Sequence, residues 1–194
     1  MSDYPGRIMT KSPLLPSTTQ ASGIWTLQQA LQAIKAGVWP GIPTNTVVLS
    51  FTSSGSWTCP DGVSQVDYLV VAGGGGGGFN NGRGAGAGGF LTGTALPVIP
   101  GTTYTITVGS GGAGSGTTAA GSNGANSIFS TITSAGGGGG GSGANPGFNA
   151  RSGGSGGGAG NQGTAGTGNT PATTPSQGNN GGSGANVAPA YPTG

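Results

Sequence analysis

The sequence predicts a mainly β fold, in which a small β-sandwich-like scaffold carries polyglycine II helices and is preceded by an extended N-terminal arm and one short α-helix. Three observations carry this expectation. Glycine fills 48 of 194 positions and nearly all of it lies after Val71, in runs such as Gly73 to Gly78 and Gly136 to Gly141. Segments that read as strands lead straight into glycine, as in Val71-Ala72-Gly73, Val108-Gly109 and Thr133-Ser134-Ala135-Gly136. Finally, Gly154, Gly157, Gly160, Gly163 and Gly166, and again Gly178, Gly181 and Gly184, keep a three-residue register, which is the polyproline II period.

Two regions are expected, 1–45 and 46–194. Over residues 1–21, Pro5, Pro13 and Pro16 bracket Leu14 and Leu15, which excludes a helix and reads as an extended arm that needs a surface to lie on. Thr26-Leu27-Gln28-Gln29 then forms a capping-box pattern, followed by Leu27, Ala30, Leu31 and Ile34 at helical spacing, with Lys35 in the last turn and Gly37 as the stop. The spacing predicts a helix over about 27–36. Because so short a helix is marginal alone in water, its stripe is expected to pack either on Trp25 and Trp39 of its own chain or on neighbouring subunits. Leu14, Leu15, Trp25, Leu27, Leu31, Ile34 and Trp39 are therefore the candidate attachment and oligomer interface.

From Thr46 the apolar period becomes two. Val47, Leu49 and Phe51 share a face, Trp57 and Cys59 lead into Pro60-Asp61-Gly62, and 66–71 is mostly apolar. Each of these reads as a strand, as do 102–108 and 127–133. Pro60-Asp61-Gly62 is built for a tight turn, since proline presets φ and glycine accepts a positive value.

A glycine-rich half either stays unfolded or is held by dense hydrogen bonding between segments, because glycine loses the most backbone entropy on folding. A polyglycine helix makes no internal hydrogen bonds, but its N–H and C=O groups point sideways and can be satisfied by neighbouring helices. Runs of six glycines break the collagen triplet, which sets collagen aside. The other reading is a flexible glycine-serine linker. The packed bundle is favoured over it because strands recur between the glycine blocks and would fix their ends.

Composition narrows the function classes. There is no His and no Glu, and the three acids Asp3, Asp61 and Asp67 stand in different contexts, so general acid-base pairs and most metal sites lack their usual parts. No enzyme activity, cofactor or metal is expected. The pI of 9.0 rests on five Lys and Arg against three Asp, without the clustered cations that nucleic acid requires. Cys59 is the sole cysteine, so no intramolecular disulfide exists and a buried thiol is the expectation. The N-terminus lacks an apolar signal region and no apolar run reaches membrane-spanning length, so synthesis in the cytoplasm without membrane insertion is expected.

The stretch from Phe51-Thr-Ser-Ser-Gly-Ser-Trp-Thr-Cys-Pro-Asp-Gly through Tyr68-Leu-Val-Val-Ala to the six glycines, then Pro100-Gly-Thr-Thr-Tyr-Thr-Ile-Thr-Val-Gly, then Ile132-Thr-Ser-Ala with six more glycines, closely resembles the glycine-rich domain of bacteriophage tail fibres and related virion proteins. Gly23-Ile-Trp-Thr-Leu-Gln-Gln-Ala with Ala36-Gly-Val-Trp-Pro is similar to a short segment found in the same class. The resemblance covers 23–144 well and the rest by composition. It implies a β scaffold with polyglycine helices in a non-enzymatic fibre or adhesin, commonly trimeric. That protein would sit in the virion and contact baseplate, tail or capsid proteins. The family usually continues with further glycine blocks and a closing strand, where this chain ends at Ala190-Tyr-Pro-Thr-Gly.

Two near-repeats, each downstream of a six-glycine run, are the candidate receptor-contact loops: Phe79, Asn80, Asn81 and Arg83, and Phe148, Asn149 and Arg151. Aromatic, amide and Arg side chains suit a host surface glycan or outer-membrane protein. The structural alternative, which is the stronger of the two, is that Phe plugs the end of the bundle and Arg caps free carbonyls. The leading functional expectation is a tail-fibre or baseplate-proximal fibre subunit that forms a stiff stalk or adhesin. The alternatives are a capsid-surface fibre or decoration protein, an ice-binding protein using Thr164, Ala165 and Thr167, and a disordered spacer.

Overall fold

A computed structural model describes residues 27–35, 46–80, 83–144 and 148–184. The chain divides into two compact units, Met1–Leu49 and Ser50–Gly194. In the first, α1 spans Leu27–Lys35, with Lys35 in the last turn where a cation complements the carbonyl end of the helix. The apolar stripe is left exposed, at 80% for Leu27, 46% for Leu31 and 44% for Ile34, whereas Ala33 is buried. Leu14, Leu15, Trp25 and Trp39 lie outside the described residues, as does the expected arm. Residues 46–51 form no strand, contrary to the period-two reading of Val47, Leu49 and Phe51. They have no partner strand among the described residues, and Val47, Val48, Leu49 and Phe51 are all exposed.

The second unit holds two antiparallel sheets. One has the order β1 (Gly55–Thr58), β4 (Thr103–Thr107), β5 (Ser127–Phe129), β6 (Ile132–Ser134), and the other pairs β2 (Gln65–Val71) with β3 (Phe90–Pro97). Trp57 pairs with Tyr104 across β1 and β4, and with Phe129 these rings form an aromatic cluster with centroids 5.8–6.2 Å apart. Cys59 is buried beside it in sequence, its thiol 3.3 Å from the Val63 carbonyl. β3 is absent from the sequence reading. Its Gly93 faces Tyr68, and a Cβ there would come within 2.6 Å of the Tyr68 ring, so the tyrosine covers the glycine and keeps the strand paired. The expected single strand over 127–133 is a hairpin, because Ser130 takes φ 54° and turns β5 back into β6.

Nine glycine-rich rods lie among the described residues, five of them continuous with these strands. Rod 1 (72–78) leaves β2, and rod 2 (83–89) returns into β3. Rod 3 (109–115) leaves β4, rod 4 (121–126) returns into β5, and rod 5 (135–142) leaves β6. Rods 6 (148–154), 7 (155–160), 8 (163–168) and 9 (177–184) follow. Hydrogen bonds between rods recur every third residue: Ala72 and Gly75 donate to Gly89 and Gly86, Gly73 and Gly76 to Ala125 and Ser122, and Gly156 and Ala159 to Asn179 and Gly182. This is the threefold geometry of polyglycine II, in which three successive residues address three directions. The bonded pairs place the rods in three layers, 3-1-2, 4-5-7-9 and 6-8.

Rod 5 is the core. Every residue from Ser134 to Ser142 is buried, and glycines make up most of that run. The amides of Gly137 and Gly140 donate to rod 1, and those of Gly138 and Gly141 to rod 7. The carbonyls of Gly137 and Gly140 accept from rod 4, those of Gly138 and Gly141 from rod 2, and those of Gly136 and Gly139 from rod 6. That accounts for five neighbouring rods. The sixth direction is served by side chains, since Gly136 donates to Asn126 Oδ1 at 2.9 Å and Gly139 to Asn123 Oδ1 at 3.0 Å. Two asparagines three residues apart on rod 4 thus stand in for a missing rod, because a carboxamide oxygen presents the same acceptor as a peptide.

Candidate receptor-contact end

The rods share one axis, so the body has two ends. The sheets form one end: rods 1, 3 and 5 begin where β2, β4 and β6 stop, and rods 2 and 4 finish where β3 and β5 start. The chain enters the unit at this end, where the Ser54 hydroxyl accepts the Val108 amide at 2.9 Å. The far end gathers the turns after rods 1, 3, 5 and 7. At about 3.1 Å per residue, rod 1 alone sets them roughly 20 Å from the sheets.

Both near-repeat loops sit at this far end, around the last residues of rod 5. The Phe79 carbonyl accepts the Gly143 amide at 2.8 Å and the Ser142 hydroxyl at 3.1 Å. Arg83 starts rod 2 by donating its amide to Gly141 at 3.0 Å, and the Phe148 carbonyl accepts Gly160 at 2.7 Å. Asn80 holds φ 48°, a left-handed value that asparagine tolerates better than most residues. Phe79, Asn80 and Arg83 are exposed, and Phe148 is half-buried. Asn81 lies outside the described residues.

The repeat is not symmetric in use. Asn149 is a local anchor, its Oδ1 accepting both the amide and the hydroxyl of Thr164 at 2.9 and 3.1 Å. Arg151 is a structural cap: its Nε donates to the Gly121 carbonyl at 2.9 Å and its amide donates to Gly139. All five polar and aromatic side chains Phe79, Asn80, Arg83, Asn149 and Arg151 are exposed, but among the described residues only Asn149 and Arg151 are tied to the scaffold by side-chain hydrogen bonds. Charge divides along the axis as well, because Asp61 and Asp67 lie on the sheet end, with Asp67 Oδ1 accepting the Ala95 amide at 2.9 Å.

A third feature was not legible as a site. Gln177 starts rod 9 and is only 2% exposed. Its Oε1 accepts the Ala135 amide at 2.7 Å, its Nε2 donates to Pro171 at 2.7 Å, and its carbonyl accepts Phe90 at 2.9 Å. This one residue ties rod 9, β3 and the start of rod 5 together at the sheet end. Only its place in a polar, glycine-rich segment was visible in the sequence, and that place does not single it out.

Among the described residues no three metal-ligating side chains cluster, and no helix is long and apolar enough to cross a membrane. The family model of the glycine-rich domain matches residues 50–194. No curated protein matches the chain.

Proposed function

The chain belongs to the glycine-rich domain family, and from that premise we propose that it is a non-enzymatic phage virion protein, a tail-fibre or baseplate-proximal fibre subunit that presents the far end of its rod bundle to the host surface. One observation carries this reading. Loops separated by more than sixty residues converge on the end of rod 5, opposite the sheet end where the chain enters, so a unit tethered through its N-terminal side holds Phe79, Asn80 and Arg83 outward. A stiff bundle suits the role, since backbone hydrogen bonds at every third residue order the rods without a large apolar core. The N-terminal segment with α1 is the attachment side, its partners being other virion proteins and further copies of the chain. The loops would meet a surface glycan or an outer-membrane protein.

Labelling virions from the source lysate with antibody raised against the recombinant chain tests the address. Label on the tail is the expected result, label over the head would turn the assignment to a capsid fibre, and label on neither would overturn the virion reading. Adsorption of the purified chain to host cells tests the site. Phe79→Ala with Arg83→Ala should lower adsorption by about tenfold or more, the scale of a hot-spot contact, with the melting temperature unchanged. Equal adsorption by the variant would remove these loops from the contact.

The layer of rods 6 and 8 favours a second reading. Thr164 and Thr167 on rod 8 are held by Asn149 and Ser152 on rod 6, giving two polar rows fixed at three-residue spacing. Such an ordered face is what ice binding requires, and thermal hysteresis of the purified chain is its assay.

A further inference from the structure

The outer layer of rods 3, 1 and 2 contains glycines that the fold itself does not need. A Cβ on Gly75, Gly76 or Gly78 would fall inside a neighbouring backbone, so these positions are obligatory. On the outer side the situation differs. A Cβ on Gly74 would meet nothing nearer than 3.8 Å, on Gly77 nothing nearer than 4.0 Å, on Gly111 nothing nearer than 3.7 Å and on Gly114 nothing nearer than 3.6 Å, all ordinary van der Waals distances. Gly77, Gly111 and Gly114 are exposed. Four side chains could stand here without strain, and the surface is bare backbone instead.

The hydrogen bonds say where that bare backbone points. In rod 1, Ala72 and Gly75 donate to rod 2, and Gly73 and Gly76 donate to rod 4. Threefold geometry sends the amides of Gly74 and Gly77 in the remaining direction, away from the body. Rod 5 shows that one residue's N–H and C=O address adjacent neighbours, since Gly138 donates to rod 7 and accepts from rod 2, which are themselves bonded. The carbonyls of Gly74 and Gly77 accept from rod 3, so their amides face the next lattice position, beside rods 1 and 3. Gly112 and Ser115 of rod 3 donate to rod 1, and Ser110 and Ala113 accept from rod 4, which leaves the Gly112 and Ser115 carbonyls facing the same position. Two donors and two acceptors without a partner among the described residues therefore converge on one lattice position at the three-residue spacing of a polyglycine rod.

A second observation falls on the same side. Val70 and Leu91 bury the inner face of the β2–β3 ribbon, and β2 packs toward β5 and β6. Its outer face shows Leu69 at 59%, Val71 at 50% and Phe90 at 54% exposure, directly below rods 1 and 2. An exposed cluster of large apolar residues at the foot of this outer layer marks an interaction surface rather than scattered surface residues.

We propose that this outer layer is the docking surface for a second copy of the chain, whose own outer glycine rod takes the lattice position beside rods 1 and 3 while the two Leu69–Val71–Phe90 patches bury each other. The occupant is fixed by chemistry. Donors and acceptors at this spacing, approached this closely, are matched only by a rod with glycine at the contact, and the same layer of this chain is such a rod. The inference is independent of the virion assignment, and it places a lateral contact in the body apart from the α1 stripe.

Sedimentation of the full chain over a concentration series tests it. The chain should self-associate, and Gly111→Ala with Gly114→Ala should weaken association by about tenfold or more while leaving the melting curve in place, because both methyl groups fit the isolated chain and intrude only on a docked rod. Phe90→Ser provides a second variant on the apolar patch, with the same expectation. Leu27→Ser with Leu31→Ser should leave this lateral association intact. A chain that sediments as a single copy at about 100 µM, or glycine variants that associate as tightly as the parent, would overturn the proposal.

Discussion

Gly139 and Gly77 carry the same side chain, a hydrogen atom, for opposite reasons. A Cβ on Gly139 would enter the backbone of rod 4 at Gly121, and the buried rod cannot move aside without breaking hydrogen bonds to its neighbours. Gly139→Ala should therefore destabilise the body by more than about 3 kcal/mol, the upper range of overpacking, and abolish a cooperative thermal transition. Gly77→Ala meets nothing closer than 4.0 Å and should leave stability unchanged or raise it by a few tenths to about 1 kcal/mol, because alanine narrows the unfolded ensemble. Paired thermal melts of the two variants check both statements. The sequence shows glycine at both positions and cannot distinguish them, because the difference lies in what each missing Cβ would touch.

At the scale of elements, the rods depend on side-chain amides wherever a neighbouring rod is missing. Asn123 and Asn126 supply the acceptors for Gly139 and Gly136, and Asn123 Nδ2 also donates to the Ser152 carbonyl at 2.8 Å, which joins rod 4 to rod 6. Asn123→Ala with Asn126→Ala leaves two core amides without protein acceptors and should cost about 2–5 kcal/mol in a denaturant titration, from the penalty on each unsatisfied buried donor. The same titration on Asn123→Gln checks that amide chemistry alone is not sufficient: a longer arm misplaces the oxygen, and intermediate stability is expected. The rods themselves were legible from period and composition, as were α1, β2 and β4. Three features of the strands were not. β3 carries Gly93 and Pro97, residue types that weaken a strand pattern, and only the structure shows Tyr68 covering the glycine. The 127–133 strand was too long by one turn because Ser130 adopts a left-handed conformation that its residue type does not announce. Residues 47–51 had the right period and, among the described residues, no neighbour to pair with.

For the molecule as a whole, the order of burial is inverted relative to an ordinary domain. The most protected segment is a run of glycines, and the large apolar residues Leu69, Val71, Phe90 and Ile99 are among those exposed. Amide hydrogen exchange should show this directly: Ala135 to Gly141 should exchange only through global opening, slower than Leu69 or Thr92 on the outer ribbon, where opening is local. Faster exchange in rod 5 than in β2 would mean that the bundle is not the cooperative core. The candidate contact end is also a property of the whole. Each Phe-Asn-Arg repeat was visible in the chain, but their meeting at Gly141 to Gly143 and the tying of only Asn149 and Arg151 to the scaffold, among the described residues, follow from rods 1, 2, 6 and 7 all flanking rod 5.

By itself, the sequence determined that order here had to come from the backbone. With few charges, few aromatics and glycine at a quarter of all positions, no large apolar core could form, and strands placed before glycine runs anchored rods 1, 3 and 5 at a known end. It also set the three-residue period, because that is the repeat on which a polyglycine backbone turns its donors and acceptors outward. Tertiary structure alone decided which of the three directions each residue found filled. That choice makes Gly139 indispensable and Gly77 replaceable, turns Asn123 and Asn126 into substitutes for a rod, and ties the exposed Arg151 to the Gly121 carbonyl, a bond with no counterpart at Arg83 among the described residues. The physical reason is that a rod's period fixes where its hydrogen-bonding groups point, whereas the neighbour that answers them comes from elsewhere in the chain.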